Sequence, residues 1–233
     1  FEVPPGTAGL TPRLSLEYSS QTRNSEYGYG WNLSVGHLER STRFGGPAYN
    51  DPASVSAAQA GDLFELDGQL LVRDGLSSDF FLRRADGSRI TYRASSSSTS
   101  YTNYWEVSRP DGTRYLYGTS AQSRLHRNAD SRAETFRWCL AEVVDPQGNS
   151  YRIHYEADEE VADTIPYKVF LYPRRIEYSF HASAPASQTR RLVELLWEAR
   201  GDGPENYDWP TAYRSGFKIQ RQRRLSQVVV GLD

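Results

Sequence analysis

The side chains in this sequence that could do chemistry are few and scattered. One cysteine, Cys139, and four histidines, His37, His126, His154 and His181, are its only thiol and imidazole groups. A zinc or iron site needs several such ligands at short spacing, and no two of these lie close enough in sequence to suggest one. Cys139 sits in Phe136-Arg137-Trp138-Cys139-Leu140, a strand-like setting where a thiol is expected to be a small core side chain. A single cysteine also excludes an intrachain disulfide. The pairs Asp67-Gly68, Asp86-Gly87 and Asp111-Gly112 could open calcium loops, but the Asp-x-Asp-x-Asp-Gly spacing is missing, so they read as turns. Asp158-Glu159-Glu160 is a short acidic cluster expected on a solvated loop. No phosphate-binding glycine loop, dinucleotide fingerprint or Gly-x-Ser-x-Gly elbow occurs. The sequence therefore predicts no catalytic, cofactor-binding or metal-ligating residue, and no cofactor.

Aromatic side chains are the remaining candidates, as platforms for sugar rings. Of Trp31, Trp105, Trp138, Trp197 and Trp209, four lie among apolar strand or turn residues and are expected in the core. Trp209, in Tyr207-Asp208-Trp209-Pro210, is the candidate for an exposed aromatic.

The elements that must carry these residues follow from composition and pattern. The chain has 233 residues, 38% apolar and 24% charged, enough for one large domain or two small ones. Sixteen tyrosines and five tryptophans favour half-buried pleated surfaces. A net charge of −2, with arginines alternating with acids, gives no reason to expect nucleic acid as a partner. No apolar run approaches the ~18 residues of a membrane helix, so no membrane insertion is expected. The sequence starts at Phe1 and has no methionine, which leads us to expect more chain upstream, including any export signal.

An all-β fold of antiparallel hairpins and curved sheets is expected, read as a single domain over residues 1–233. Arg13 to Tyr18 alternates, with Leu14, Leu16 and Tyr18 on one face, and Leu33 to Arg43 reads as a further strand. Residues 45–61 read as a loop, and hairpins succeed one another from residue 62. Three-residue loops Ala85-Asp86-Gly87, Pro110-Asp111-Gly112 and Pro146-Gln147-Gly148 would each close with a left-handed glycine. Counting outward, Leu82 then faces Ile90 and Phe80 faces Tyr92; Val107 faces Tyr115 and Trp105 faces Tyr117. Val143 faces Tyr151, Ala141 faces Ile153 and Cys139 faces Tyr155. Two-residue turns would leave Tyr115 and Tyr117 on the polar face, so the apolar pattern selects the longer loop. Arg174 to Phe180 aligns Ile176, Tyr178 and Phe180, and only Ala157 to Thr164 is compatible with a helix. Leu225 to Val230 is a strand apolar on both faces, expected beside residues 213–219 or against another chain, with more chain following.

Residues 1–50 carry a specific signature. Val3-Pro4-Pro5-Gly6-Thr7-Ala8-Gly9-Leu10-Thr11-Pro12 leads into Leu14-Ser15-Leu16-Glu17-Tyr18-Ser19-Ser20. Gly28-Tyr29-Gly30-Trp31-Asn32-Leu33-Ser34 and Arg40-Ser41-Thr42-Arg43 follow. These four pieces, in this order, resemble the SpvB/TcaC-type N-terminal domain of bacterial RHS/YD-repeat, Tc-type insecticidal toxins. Asp145-Pro146-Gln147-Gly148-Asn149 with Tyr151 and Tyr155 resembles an RHS/YD repeat, and Tyr213-Arg214-Ser215-Gly216-Phe217 the family's closing segment.

The resemblance implies a non-catalytic module of a secreted toxin, part of the wall or cap of a β-shell around a toxic effector. Its implied partners are the rest of its own RHS/YD chain, the enclosed effector and a translocation subunit. In family members that carry an ADP-ribosyltransferase, that enzyme lies at the far C-terminus. Ser98-Thr99-Ser100 does spell the Ser-Thr-Ser of such enzymes, but no Glu-x-Glu occurs anywhere to stabilise an oxocarbenium ion. The alternative is a β-domain that docks a surface glycan or a host protein.

Overall fold

Alternating apolar residues and glycine-closed turns make strands of nearly every segment. The computed structural model describes residues 2–21, 23–50, 61–75, 77–94, 103–126, 134–162, 165–181, 183–184, 189–201 and 209–232. Ser98-Thr99-Ser100 and most of the 45–61 loop lie outside the described residues. Helical structure among the described residues comprises two short 3₁₀ turns, Thr7–Gly9 and Ala121–Ser123, and the single 3₁₀ residue Glu134.

The strands, in order, begin with a small ribbon region: β1 (Leu16–Tyr18), β2 (Asn24–Ser25), β3 (Gly28–Tyr29) and β4 (Trp31–Leu33). A meander follows: β5 (His37–Arg40), β6 (Phe64–Leu66), β7 (Gln69–Arg73), β8 (Asp79–Leu82), β9 (Arg89–Arg93), β10 (Tyr104–Ser108) and β11 (Arg114–Tyr117). Then come β12 (Arg124–His126), β13 (Thr135–Val144) and two long strands, β14 (Asn149–Ala162) and β15 (Ile165–His181). β16 (Arg191–Ala199), β17 (Thr211–Ala212), β18 (Ile219–Gln220) and β19 (Arg223–Leu232) complete the described chain.

β13 closes the meander into a barrel. It pairs with β5 along one edge and with β11 along the other. The two edges are opposite: the Leu140 amide donates to the Gly36 carbonyl, while the Cys139 carbonyl accepts from the Gly118 amide. Closure leaves the meander without free edges, which an open sheet would expose. From β13 the same sheet runs outward through β14, β15, β16 and β19. Register shifts at Ser150/Tyr151, His154/Tyr155 and Asp158/Glu159 bend the long β14–β15 pair.

The barrel core is aromatic. Trp105 is fully buried, with Phe64, Phe80, Tyr92 and Trp138 at ring-centroid distances of 4.9, 5.0, 4.9 and 6.0 Å. Tilted and edge-on pairs of this kind contribute about 0.5–1.5 kcal/mol each beyond their buried area. Arg40 plugs the core, wholly buried, with its guanidinium over the rings of Tyr49, Phe64 and Trp138. Its Nε donates to the Thr135 carbonyl at 2.8 Å, and Asp62 supplies the counter-charge.

The glycine-closed turns stack along one rim. A Cβ on Gly87 would lie 2.9 Å from Pro110, and one on Gly112 would lie 2.9 Å from Pro146. Arg109 reaches back to Asp86 at 3.0 Å, tying the first turn to the second. In the third, the Asp145 carboxylate accepts from the amides of Gln147 and Asn149 at 2.9 and 2.8 Å.

The counted register holds for part of the chain. Trp105 faces Tyr117, Val107 faces Tyr115 and Val143 faces Tyr151. In the first hairpin, however, Phe80 faces Ile90, not Tyr92. The register slips by two residues, which leaves faces unchanged because the pleat repeats every two. Ala141–Ile153 and Cys139–Tyr155 do not form as ladder pairs. Ala141 is an extra residue against β11, where Leu116 faces Glu142 and Tyr117 faces Leu140. This bulge turns Cys139 to the face opposite Val143, and β13 pairs there with β5, Cys139 against His37.

Other expectations are corrected too. Ala157 to Ala162 is strand, not helix, because Glu156, Asp158 and Glu160 alternate onto one face to meet Arg223 and Lys218. Asp158 is therefore buried and paired rather than solvated. Ser179, at φ 71°, is skipped in the ladder, so Phe180 turns away from Tyr178 and packs against Arg152 and Arg190. Leu33 to Arg43 divides into β4 and β5 around Gly36. Leu14 is buried, but Leu16 and Tyr18 are 38% and 61% exposed on the β1–β4 ribbon. Trp31 is the exposed tryptophan, whereas Trp209 is half-buried and donates its indole N–H to the Arg200 carbonyl at 2.7 Å.

Candidate functional site

Two clusters of titratable side chains and one strand edge are the candidate sites. The first lies between the barrel wall and β14–β15. His37 and Cys139 are cross-strand neighbours there, beside a cavity of about 310 Å³ shared with Glu26, Tyr27, Tyr155 and Arg221. A thiol beside an imidazole is the arrangement of a nucleophile. The environment works against it. Burial pushes the Cys139 thiol up to about 12, so the thiolate is absent at neutral pH. Burial, then Arg137, holds His37 below its ordinary value. Burial alone would raise Glu39, but Arg137 at 2.7 Å outweighs it and lowers that carboxyl. Arg221 pairs with Glu26 at 2.8 Å. These are paired charges joining two layers, with no activated group among them.

The second place is the Ala121–Ser123 turn. Lys168 donates to the carbonyls of Ala121 and Arg124, and burial lowers its ammonium to about 8. His126 nearby is brought down to about 4, by burial first and then by Lys168 and Arg124. The lysine clamps the turn onto β15. His154 and His181 are elsewhere, His154 at 3.6 Å from Glu177 and His181 at 3.1 Å from the Gln147 carbonyl. Thus the four histidines occupy distinct surroundings, and no group of three metal-ligating side chains meets among the described residues.

The third place is an edge. β19 pairs with β16 from Arg223–Ala199 to Leu232–Arg191, not with residues 213–219 as the sequence suggested. Its other edge carries one backbone bond among the described residues, Leu225 amide to Glu26 carbonyl at 2.9 Å. Beyond it, residues 226–232 have no strand partner on that side among the described residues. Val229, Val230 and Leu232 are 37%, 40% and 71% exposed. Natural edges are blunted by lysine, proline or inward charges. None of these occurs from Leu225 to Leu232.

The buried Arg40–Asp62 pair and the Lys168 clamp were not visible as such in the sequence. Arg40 lay within the Arg40-Ser41-Thr42-Arg43 signature, and that was the only signal for it.

Comparison with known proteins supplies the context. The family model SpvB, described as Salmonella virulence plasmid 65kDa B protein, matches residues 1–168. The mono(ADP-ribosyl)transferase SpvB of Salmonella choleraesuis (strain SC-B67) is 26% identical over 276 residues, covering 95% of this chain. The chain spans 45% of that relative's length. The solved N-terminal domain of effector protein SpvB from Salmonella typhimurium strain LT2 superposes with a TM-score of 0.75 at 22% identity, covering 96% of this chain and 83% of that one. The crystal structure of TcdB2-TccC3 matches with a TM-score of 0.74 at 23% identity, covering 95% of this chain and 12% of that one.

Proposed function

The chain belongs to the SpvB family, and on that premise we propose that it is a non-catalytic structural module of a secreted Tc-type toxin. Its role is to form part of the wall or cap of an RHS/YD-type β-shell that encloses and delivers an effector. Residues 1–233 act as one domain in that role. The partners are the remainder of the toxin chain, the enclosed effector and a translocation subunit.

The observation that carries this reading is the edge of β19. A sheet that starts in a closed barrel and ends in an unprotected, partly apolar strand is built to continue. The likeness of the fold to part of TcdB2-TccC3 supports the same role. The paired, deprotonation-resistant surroundings of Cys139 and the separated histidines support a module without chemistry of its own.

The test is effector protection. In the whole toxin, the effector should resist protease, and Val229→Lys, which places a charge on the strand edge, should expose it. An effector that remains equally protected when residues 1–233 are deleted would overturn the shell role.

A further inference from the structure

We propose that the cavity beside β11, β13 and β14 is a saccharide-binding site that takes one or two sugar rings. This inference is independent of the shell role. The cavity measures about 530 Å³, within the roughly 300–1,000 Å³ of small-molecule sites. It lies against the barrel's interior face, where Tyr115 and Tyr117 stand beside Val143 and Leu140, and Tyr151 continues the row on β14. Residues 9–14 and 34–36 form the facing wall.

Three features select the ligand. First, Tyr117 is 4% exposed and lines the cavity, yet its hydroxyl has no hydrogen-bond partner among the described residues. That hydroxyl is not among the wholly buried unpaired atoms of the described residues; it opens into the cavity, where it is free to bond a ligand group. The hydroxyls of Tyr115 and Tyr151 are also without protein partners among the described residues. Burial, then the neighbouring Asp67 carboxylate, raises the Tyr117 phenol well above its ordinary value, so it stays a neutral O–H donor.

Second, the rim is charged but balanced. Arg13 and Arg109 face Asp67 and Asp111 around the same cavity, and all four are exposed. Arg109 is partly engaged by Asp86 at 3.0 Å, and Asp67 accepts the His37 amide at 2.8 Å. Two charges of each sign give no field for a strongly anionic or cationic ligand. They do offer both donors and acceptors, which a polyol can use at every hydroxyl.

Third, the floor is apolar. Leu14, Leu140 and Ile176 are buried beneath the tyrosines. A sugar ring presents an apolar C–H face and a hydroxylated edge, which matches a floor of hydrocarbon and aromatic rings beneath a polar rim. The class is therefore a neutral saccharide, free or at the end of a glycan.

Saturation-transfer NMR with glucose, galactose, N-acetylglucosamine and lactose tests the free sugars, and an immobilised glycan panel tests glycan ends. Transfer to ring C–H protons of at least one probe is expected. Tyr151→Ala should weaken that binding about tenfold, and Tyr117→Phe, which removes only the hydroxyl, about threefold to tenfold. Circular dichroism checks that both variants keep the fold. Arg13→Ala, at an exposed position, provides a rim variant should Tyr151→Ala unfold, and it too should weaken binding. Binding on the immobilised panel alone would assign the site to glycan ends. Absence of binding in both formats, or binding unchanged by Tyr117→Phe and Arg13→Ala, would overturn the assignment.

Discussion

Trp105 stands directly opposite Tyr117 across the β10–β11 hairpin, yet the two side chains meet different surroundings. Trp105 is sealed among four aromatic rings with its indole N–H buried and unpaired, whereas Tyr117 lines a cavity into which its hydroxyl opens. Trp105→Ala should therefore cost about 3–5 kcal/mol, as large-to-small changes in packed cores do. Tyr117→Phe should cost less than about 1 kcal/mol, since no protein hydrogen bond is lost. Urea denaturation of both variants measures the contrast; equal losses would show that the cavity is part of the packed core.

The stacked turns predict a difference between two glycines. Gly112 has φ +82° and would press a Cβ to 2.9 Å from Pro146, whereas Gly68, at φ +78°, has nothing within 4 Å. Alanine at either position costs about 1–2 kcal/mol from the left-handed backbone alone. Gly112→Ala should cost more, and Pro146→Ala should recover part of the excess. A thermal melt of the four variants checks this, and identical losses for the two glycines would contradict the stacking.

Arg40 and Asp62 form a pair whose guanidinium is wholly buried under Tyr49, Phe64 and Trp138. Removing one partner strands the other charge, so Asp62→Ala should cost about 3–5 kcal/mol. Denaturant unfolding would report the loss; a change within experimental error would mean that Asp62 is not the required counter-charge.

Acid should weaken the fold through His126. Its folded pKa of about 4 lies below the ordinary 6.5, so the unfolded chain binds a proton first as pH falls. Stability from this residue is fully present above about 6.5 and is lost as pH drops toward 4, on the order of 3 kcal/mol in all. Unfolding midpoints between pH 7.5 and 4.5 should fall less steeply in His126→Leu than in the parent. Parallel curves would assign the acid sensitivity to other groups.

Much of this architecture was legible from pattern, and the failures have local causes. Alternation placed the strands, and the three-residue loops gave the Trp105–Tyr117 and Val143–Tyr151 pairings because a slip by one residue would expose every apolar side chain. The bulges at Ala141 and Ser179 were invisible, since a single extra residue reverses faces without leaving a compositional mark. The acidic run at Asp158 resembled a solvated segment because its partners, Arg223 and Lys218, lie about sixty residues away. Closure of the barrel by β13 and the cavity with Tyr117 arise from long-range pairings that no local pattern encodes.

Amide hydrogen exchange along β19 tests the structural role most directly. In the isolated chain, outward-facing amides of residues 226–232 should exchange quickly, because that edge has no strand partner among the described residues. In the whole toxin the same amides should be slowed at least about tenfold by a strand added from the rest of the assembly. Exchange equally fast in the isolated chain and in the whole toxin would contradict the account.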